Sequence, residues 1–440
     1  MKHVISIMAI CTKAITTIFS LCTIVIGSIA QTSTSYNANT VPIAGIYNAA
    51  FGVGALKNNL SNYNTANGYG ALYSNVSGYA NTATGHQALG LNVSGYNNTA
   101  NGMQALAYNT VGSANTANGY QALFSNINGP GNTANGYQAL YSNVNGYNNS
   151  ANGYGALYSN VSGSNNTANG NYALGSNTTG DYNTANGVSS LSNNTTGTNN
   201  TANGLFALGN NNGNNNTANG VSALFNNSTG VSNTSNGYRS LWLNLTGSNN
   251  VADGDSAGFN SQGNGCIYLG KKAGYYETGD NKLYIGNDSN KTIIYGDMST
   301  GQLLIGNHQP TGYSFKGTRT LNVLGGVLAD SVRVSLSGNW ADYAFDDDYP
   351  LKPLSELANF IKTNKHLPNI PSADEVANDG IEVGAMNAKL LEKIEELTMY
   401  ILQQQKQLQA KQDNDAILKK QFANQQLQID QLKKLLIKSK

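Results

Sequence analysis

Side chains that could perform acid–base or metal chemistry are few in this chain of 440 residues, and they lie far apart. Between residues 58 and 250 the only charged residues are Asp181 and Arg239, and His86 is the only histidine. General acid–base catalysis and glycoside hydrolysis both need titratable groups placed together, so we expect no enzyme. The acidic run at 346–348 lacks the spaced oxygen ligands of a calcium loop, so we expect no metal and no cofactor.

The abundant residue types favour binding over catalysis. The chain has 26 Tyr and 68 Asn, and a net charge of +1 that gives no basic surface for nucleic acid. Tyrosine offers contact area and a hydroxyl group at low entropy cost. We therefore predict ligand contacts with glycans or proteins at six outward aromatic residues: Tyr120, Phe124, Tyr137, Tyr141, Tyr154 and Tyr158. Two alternatives are an uncharged surface that only keeps the protein soluble and a flat Thr/Asn face that binds ice.

These residues belong to a repeat that occupies residues 51–260. Its pattern is approximately N-T-A-N-G-x-x-A-L-x-x-N-x-x-G-x-N, in thirteen copies that begin at Gly52. The glycine after Ala-Asn recurs every 17 residues, apart from one step of 16, at Gly68, Gly85, Gly102, Gly119, Gly136, Gly153, Gly170, Gly187, Gly204, Gly220, Gly237 and Gly254. Such a unit is too short for a helical repeat, and its Gly and Asn content opposes helix.

Columns of equivalent residues indicate which side chains face inward. The Leu column from Leu72 to Leu241 and its Ala neighbours hardly change, whereas the aromatic positions vary. We predict one solenoid winding of two short strands and two turns per copy, with an in-register ladder of amides at Asn75, Asn92 and their equivalents. One Leu and two Ala per winding bury little surface, so we expect neighbouring chains to cover these columns.

The repeat resembles two families of exported proteins. Its Asn-Thr-Ala-x-Gly and Ala-Leu motifs are similar to the β-roll heads of trimeric autotransporter adhesins. They are still more similar to the head repeats of Bacteroidetes tail-fibre-domain proteins. The resemblance implies a trimeric, left-handed parallel β-roll.

The regions before and after the repeat have different compositions. Residues 1–30 have the charged start, apolar run and small residues of a signal peptide cleaved near Ala30, which predicts export to the cell surface or extracellular space. Residues 31–50 form an N-terminal segment. Cleavage would leave Cys266 as a lone, buried thiol, and the mature chain has no other apolar run long enough to span a membrane.

Two further segments precede the C-terminal end. Residues 261–338 contain short apolar runs closed by glycine, which predict a β-rich connector. Residues 339–385 predict a small helical module, with one helix over 356–363 and a capping box at Ser372 before a second that ends near Gly380.

The helical module resembles the C-terminal module of the same Bacteroidetes proteins. The similarity includes Asp342-Tyr343 and His366-Leu367-Pro368, and it extends distantly to the intramolecular chaperone of phage tail spikes. That family cuts itself at a Ser-Asp motif. Ser335 and Ser337 lack the following Asp, so we do not expect self-cleavage.

Residues 386–440 carry a heptad pattern without Gly or Pro beyond residue 390. The apolar seam positions are Leu390, Ile394, Leu397, Ile401, Leu408, Leu418, Phe422, Ile429, Leu432 and Leu436. They predict a coiled coil for self-association, the alternative being one amphipathic helix packed on its own domain. Ile at a and Leu at d nominally favour two strands, while the head resemblance implies three, and we choose three.

Together these features predict a mainly β, fibrous homotrimer. It consists of a parallel β-roll or solenoid head, a β-rich connector, a small α domain and a C-terminal coiled coil. We expect a non-enzymatic adhesin or extracellular scaffold. The alternatives are a phage-like receptor-binding tail fibre, which the signal peptide disfavours, and a purely structural surface-layer or matrix component.

Overall fold

The fold is that of a computed structural model, which describes residues 34–36, 45–308, 315, 318–334 and 340–438. The predicted signal peptide, residues 1–30, and the two serines at 335 and 337 lie outside the described residues. The chain divides into two compact units between Val327 and Leu328. We call them the solenoid unit and the helical unit.

The solenoid unit is a parallel β-solenoid of about 16 turns. Strands β1–β16 pair in parallel, β17 and β18 continue antiparallel, and β19 pairs in parallel with β18. The first strands are β1 (Thr34–Tyr36), β2 (Ala49–Phe51), β3 (Thr65–Asn67), β4 (Thr82–Thr84), β5 (Thr99–Asn101), β6 (Thr116–Asn118), β7 (Thr133–Asn135), β8 (Ser150–Asn152), β9 (Thr167–Asn169) and β10 (Thr184–Asn186). The others are β11 (Thr201–Asn203), β12 (Thr217–Asn219), β13 (Thr234–Asn236), β14 (Val251–Asp253), β15 (Ile267–Leu269), β16 (Lys282–Gly286), β17 (Thr292–Asp297), β18 (Gln302–His308) and β19 (Leu321–Val323).

Each winding of the repeat has one three-residue strand, so the prediction of two strands per winding is wrong. The Ala-Leu side forms turns because two of its residues, such as Gln138 and Leu140, have left-handed φ angles of +52° and +53°. An L-residue pays roughly 1–2 kcal/mol for that conformation. The backbone N–H of Leu140 donates to the carbonyl of Ala156 in the next winding at 2.9 Å, which offsets part of this cost.

The core of the repeat is closed within one chain. Leu140, Ala134 and Ala139 are fully buried, and their equivalents in the other windings of the repeat are as well. The expectation that neighbouring chains must cover these columns is therefore wrong. The winding encircles them, and buried asparagines fill the space that the small apolar side chains leave.

The predicted asparagine ladder is confirmed in the repeat. Asn143 donates from Nδ2 to Oδ1 of Asn126 in the preceding winding at 2.7 Å and to the carbonyl of Gly146 at 2.9 Å. Its own Oδ1 accepts from Nδ2 of Asn160 at 2.7 Å. The equivalent amides from Asn75 to Asn227 are likewise bonded along the solenoid and across its corner, as buried polar groups require. At Asn244, the last of them, Nδ2 makes both bonds but the buried Oδ1 has no partner among the described residues.

A second buried ladder was not predicted. It consists of the Asn that precedes each Thr-Ala-Asn strand, for example Asn132 and Asn149. The backbone N–H of Asn149 donates to Oδ1 of Asn132 at 3.0 Å, and its Nδ2 donates to the carbonyl of Gly163 at 2.8 Å. Asn160, in the first ladder, donates to the same carbonyl at 2.8 Å. The two ladders therefore share the corner carbonyls.

The windings continue beyond the recognisable repeat, with a changed core. Tyr268 occupies the position of the strand Ala and is fully buried, while Gly258 occupies the Leu position in the preceding winding and Gly274 occupies it in the winding of Tyr268. A Cβ added to these glycines would lie 2.5 Å and 2.2 Å from the Tyr268 ring. A large residue in one column is therefore compensated by the smallest residue in its neighbour. Cys266 is buried, as predicted.

The helical unit contains a 3-10 helix (Ala341–Phe345), α1 (Leu354–Asn364), α2 (Ala373–Asp379) and α3 (Val383–Lys438). The predicted helices and the capping box at Ser372 are confirmed. Gly380 ends α2 with a φ of +69°.

A polar cluster joins the 3-10 helix and the loop after it to α3. Tyr343 donates to Glu392 at 2.8 Å, Tyr349 donates to Glu396 at 2.6 Å, and Lys393 bonds both carboxylates at 3.0 and 2.7 Å. We call these five residues the tyrosine–glutamate cluster. It buries one face of α3 against its own unit.

Candidate contact surface of the solenoid

The six predicted contact residues form two columns on the solenoid surface. The first aromatic column, after Asn-Gly, contains Tyr120, Tyr137 and Tyr154, with ring centroids 5.1 and 5.0 Å apart and planes within 17°. The second aromatic column, after Leu, contains Phe124, Tyr141 and Tyr158, at 5.0 and 5.1 Å and within 5°. The spacing follows from the distance between paired strands, because equivalent residues lie directly above one another.

Stacking leaves these rings partly exposed. Tyr137 and Tyr154 are 43% and 45% exposed, and the other four rings are half-buried. Burial and, after it, the neighbouring tyrosine hydroxyls raise the pKa of Tyr141 further above physiological pH, where an ordinary tyrosine is already neutral. The surface therefore offers ring faces and edges beside uncharged hydroxyl groups.

Between the two columns lies a row of glutamines that sequence reasoning missed. Gln121 donates to Gln104 at 2.9 Å, and Gln138 donates to Gln121 at 2.9 Å. Gln104 donates to Gln87 at 3.4 Å. The signal was present as a run of Gln two positions after the repeat glycine.

An outer asparagine ladder borders the same surface. Asn118 donates to Asn135 at 2.8 Å, and Asn135 donates to Asn152 at 2.8 Å. These are the last residues of the short strands. The contact surface therefore consists of rings and amides held at the strand spacing by hydrogen bonds between successive windings.

Glycine fixes the turn that presents the first aromatic column. Gly136 has a φ of +139°, and a Cβ there would lie 2.5 Å from the carbonyl oxygen of Gly153. Only glycine combines this conformation with so close an approach of two backbones. The column position of Tyr137 therefore depends on the preceding residue.

The described residues contain no group of three or more His, Cys, Asp or Glu side chains positioned to hold a metal ion. Among those residues, no helix has the length and apolarity needed to cross a membrane.

The predicted seam of α3 is exposed along the helix. The exposed fractions of its ten apolar residues lie between 45% and 67%: Leu390, Ile394, Leu397, Ile401, Leu408, Leu418, Phe422, Ile429, Leu432 and Leu436. The buried residues Glu392, Glu395 and Tyr400 lie on a different face, towards the helical unit. The described part of the helical unit therefore does not cover the seam.

Comparison of the chain with protein-family models, curated proteins and solved structures gives no match.

Proposed function

We propose that this protein is an exported, non-enzymatic surface fibre, an adhesin or extracellular scaffold whose solenoid contacts glycans or proteins. The observation that carries the proposal is the pair of stacked aromatic columns from Tyr120 to Tyr158. Six rings with parallel neighbours lie on a surface without charged side chains in its own windings. Export itself rests on the signal-peptide pattern of residues 1–30.

Rigid rings favour binding because little conformational freedom is lost when a partner arrives. Each ring is already held by its neighbours at about the strand spacing, so ordering costs of the kind that limit affinity are small. The phenol hydroxyls and the glutamine row add neutral donors and acceptors beside the apolar faces. This combination suits ligands that have both apolar faces and hydroxyl groups, such as glycans.

Self-association through α3 supports the fibrous part of the proposal. Burying ten apolar side chains that one chain leaves exposed provides a large hydrophobic driving force. We propose a coiled coil of three chains, with two chains as the alternative that the Ile and Leu positions favour.

A purely structural role is the second candidate, and the asparagine ladders favour it. The outer ladder and the two buried ladders stiffen the solenoid irrespective of any ligand. A matrix component would need these bonds and not the aromatic columns.

Glycan-array binding by residues 31–440 tests the adhesin role. The variant Tyr137→Ser, Tyr141→Ser, Tyr154→Ser should lose at least tenfold in binding, because it removes rings from both columns. The matched control is Tyr182→Ser, which changes an exposed tyrosine outside both columns. Binding that is equal in both variants would contradict the adhesin role and favour the structural one.

A further inference from the structure

The second aromatic column is interrupted near its beginning. The residue after Leu is Tyr73, then Gly90 and Ala107 in the next two windings, and then Phe124. From Tyr73 to Phe124 the column advances three windings, roughly 14 Å at the usual strand spacing. Where the two rings are missing, a groove of about 520 Å³ opens. Small-molecule sites commonly have volumes of about 300–1,000 Å³.

Aromatic rings line the groove on several sides. Tyr73 and Tyr108 both contribute to its walls. Tyr108 is held edge-on against Phe124, with ring centroids 4.8 Å apart. Tyr69 lines the side and stacks on His86 at 5.2 Å. A pyranose ring presents a C–H face that packs well on such rings, and its hydroxyl groups point outward from the ring edge.

Polar groups in the groove are placed to bind the ring edge of a sugar. The amides of Gln87 and Gln104 line it, 3.4 Å apart from Nε2 of Gln104 to Oε1 of Gln87. Lys57 also lines it, and its Nζ donates to the hydroxyl of Tyr73 at 3.0 Å and lies 5.1 Å from the ring centroid. A cation is thereby fixed beside an aromatic platform.

The groove carries positive charge and no negative charge. Lys57 is its only formally charged lining residue, and the chain has no Asp or Glu between residues 1 and 180. Because windings stack in chain order, no carboxylate from the neighbouring windings offsets this ammonium group. The geometry points to a binding site for a carboxylate-bearing saccharide, with its pyranose ring in the gap at Gly90 and its carboxylate at Lys57. This inference rests on the proposed role of the solenoid as a contact surface and names one ligand class for it.

The gap can be filled without altering the fold. Phe124, Tyr141 and Tyr158 already hold rings at the equivalent position. Gly90 does not have a left-handed φ, and a Cβ there would lie 3.2 Å from its nearest neighbour, the carbonyl oxygen of Gln87. Gly90→Tyr should therefore close the groove and extend the column, while Gly90→Ala keeps the groove open as the matched control.

The test uses residues 31–440 on an array of neutral and uronate-containing oligosaccharides, with each uronate glycan also present as its methyl ester. We expect uronate glycans to bind, their esters to bind at least tenfold more weakly, and Gly90→Tyr to abolish binding. Lys57→Gln should reduce the affinity for the acids to that for the esters. Lys57→Arg, which keeps the positive charge, should retain the higher affinity for the acids. A thermal melt of each variant confirms that the fold is retained.

Three results would overturn the inference: absence of uronate binding, equal binding of acids and esters, or binding that survives Gly90→Tyr. The triple tyrosine variant described above separates this failure from that of the proposed function. Loss of glycan binding in that variant, with no effect of Gly90→Tyr, would reject the groove and retain the contact surface. Binding that changes in neither variant would reject both.

Discussion

The solenoid unit and the helical unit solve the same problem, burying polar groups, in opposite ways. In the repeat, each buried Asn bonds to its copies, so the same set of contacts recurs from winding to winding. In the helical unit, one tyrosine–glutamate cluster joins α3 to the 3-10 helix and the loop after it. Repetition spreads stability over many equivalent bonds. The tyrosine–glutamate cluster is instead a single set of bonds to charged groups.

The units also differ in what they leave uncovered. The solenoid encloses its Leu and Ala columns within one chain, whereas α3 exposes the apolar residues of its seam. Self-association is therefore expected of the helical unit and is not required by the repeat.

Each unit also contains one of the two tryptophans, Trp242 and Trp340, so single-tryptophan variants can monitor the unfolding of the two units separately.

The largest effect is expected from polar substitutions in the seam. Leu397→Asn with Ile401→Asn places amides at two exposed seam positions that a coiled coil would bury. We expect the sedimentation mass of residues 31–440 to fall from three chains to one, with the solenoid melt unchanged. Gln405→Asn, which lies off the seam, is the control. An unchanged mass would place the association elsewhere.

A large local effect is expected at the repeat glycine. In Gly136→Ala the new Cβ meets the Gly153 carbonyl oxygen at 2.5 Å in a backbone conformation that favours glycine, which we expect to cost about 3–5 kcal/mol. Gly90→Ala, with 3.2 Å of clearance, should change stability by less than about 1 kcal/mol. Denaturant titration followed by Trp242 fluorescence measures both. Equal losses would show that close approach does not set the glycine requirement.

A smaller effect is expected from removing one rung of the buried ladder. Asn143→Ala leaves the buried Oδ1 of Asn126 without its donor and opens a small cavity, so we expect a loss of about 3 kcal/mol. Asn135→Ala removes two bonds of 2.8 Å from the half-buried outer ladder, where water can replace them, and should cost less than about 1 kcal/mol. The same titration applies, and similar values for the two would contradict the division into core and surface ladders.

The smallest effect is a difference in acid sensitivity. Burial acts to raise the pKa of Glu392, but hydrogen bonds from Lys393 and Tyr343 outweigh it and hold the pKa below its usual range. The folded unit then binds fewer protons than the unfolded one, so this stabilisation is complete above the ordinary Glu pKa of about 4.3 and is lost as pH falls below it.

We expect the acid loss to appear in the helical unit, to be smaller than the losses predicted above, and to be absent from the repeat windings. Melts at pH 6 and pH 3, followed by Trp340 in a Trp242→Phe variant, measure it. Tyr343→Phe removes one of the bonds that lower the pKa and should reduce the difference between the two melts. An equal acid loss in the solenoid transition would show that the cluster is not its origin.

Features that repeat, or that have a local signature, could be predicted from the sequence. The Asn75 ladder, the buried Leu and Ala columns and the capping box at Ser372 are of this kind. Each follows from a column or a short motif whose physical reason is contained in the residues themselves.

The features that could not be predicted from the sequence depend on backbone conformation or on contacts between columns. The positive φ of Leu140 is not a preference of leucine, and the bonds to the next winding impose it. The large Tyr268 fits because Gly258 and Gly274 leave room for its ring, and this is apparent only when the strand column and the Leu column are placed side by side in the structure. The groove at Gly90 exists because two positions of the column have no ring, and no reactive or charged residue marks those positions in the sequence.

The strands that follow β16 have a consequence for aggregation. An in-register parallel stack is the arrangement by which amyloid fibrils elongate, because each exposed edge templates the next identical segment. Here only β17 runs against the other strands, and the last strand, β19, returns to their direction but has Leu-Asn-Val where the repeat has Thr-Ala-Asn. A second chain docking on β19 would therefore not meet the side-chain pattern of the ladder, so we expect this edge to be a poor template for elongation.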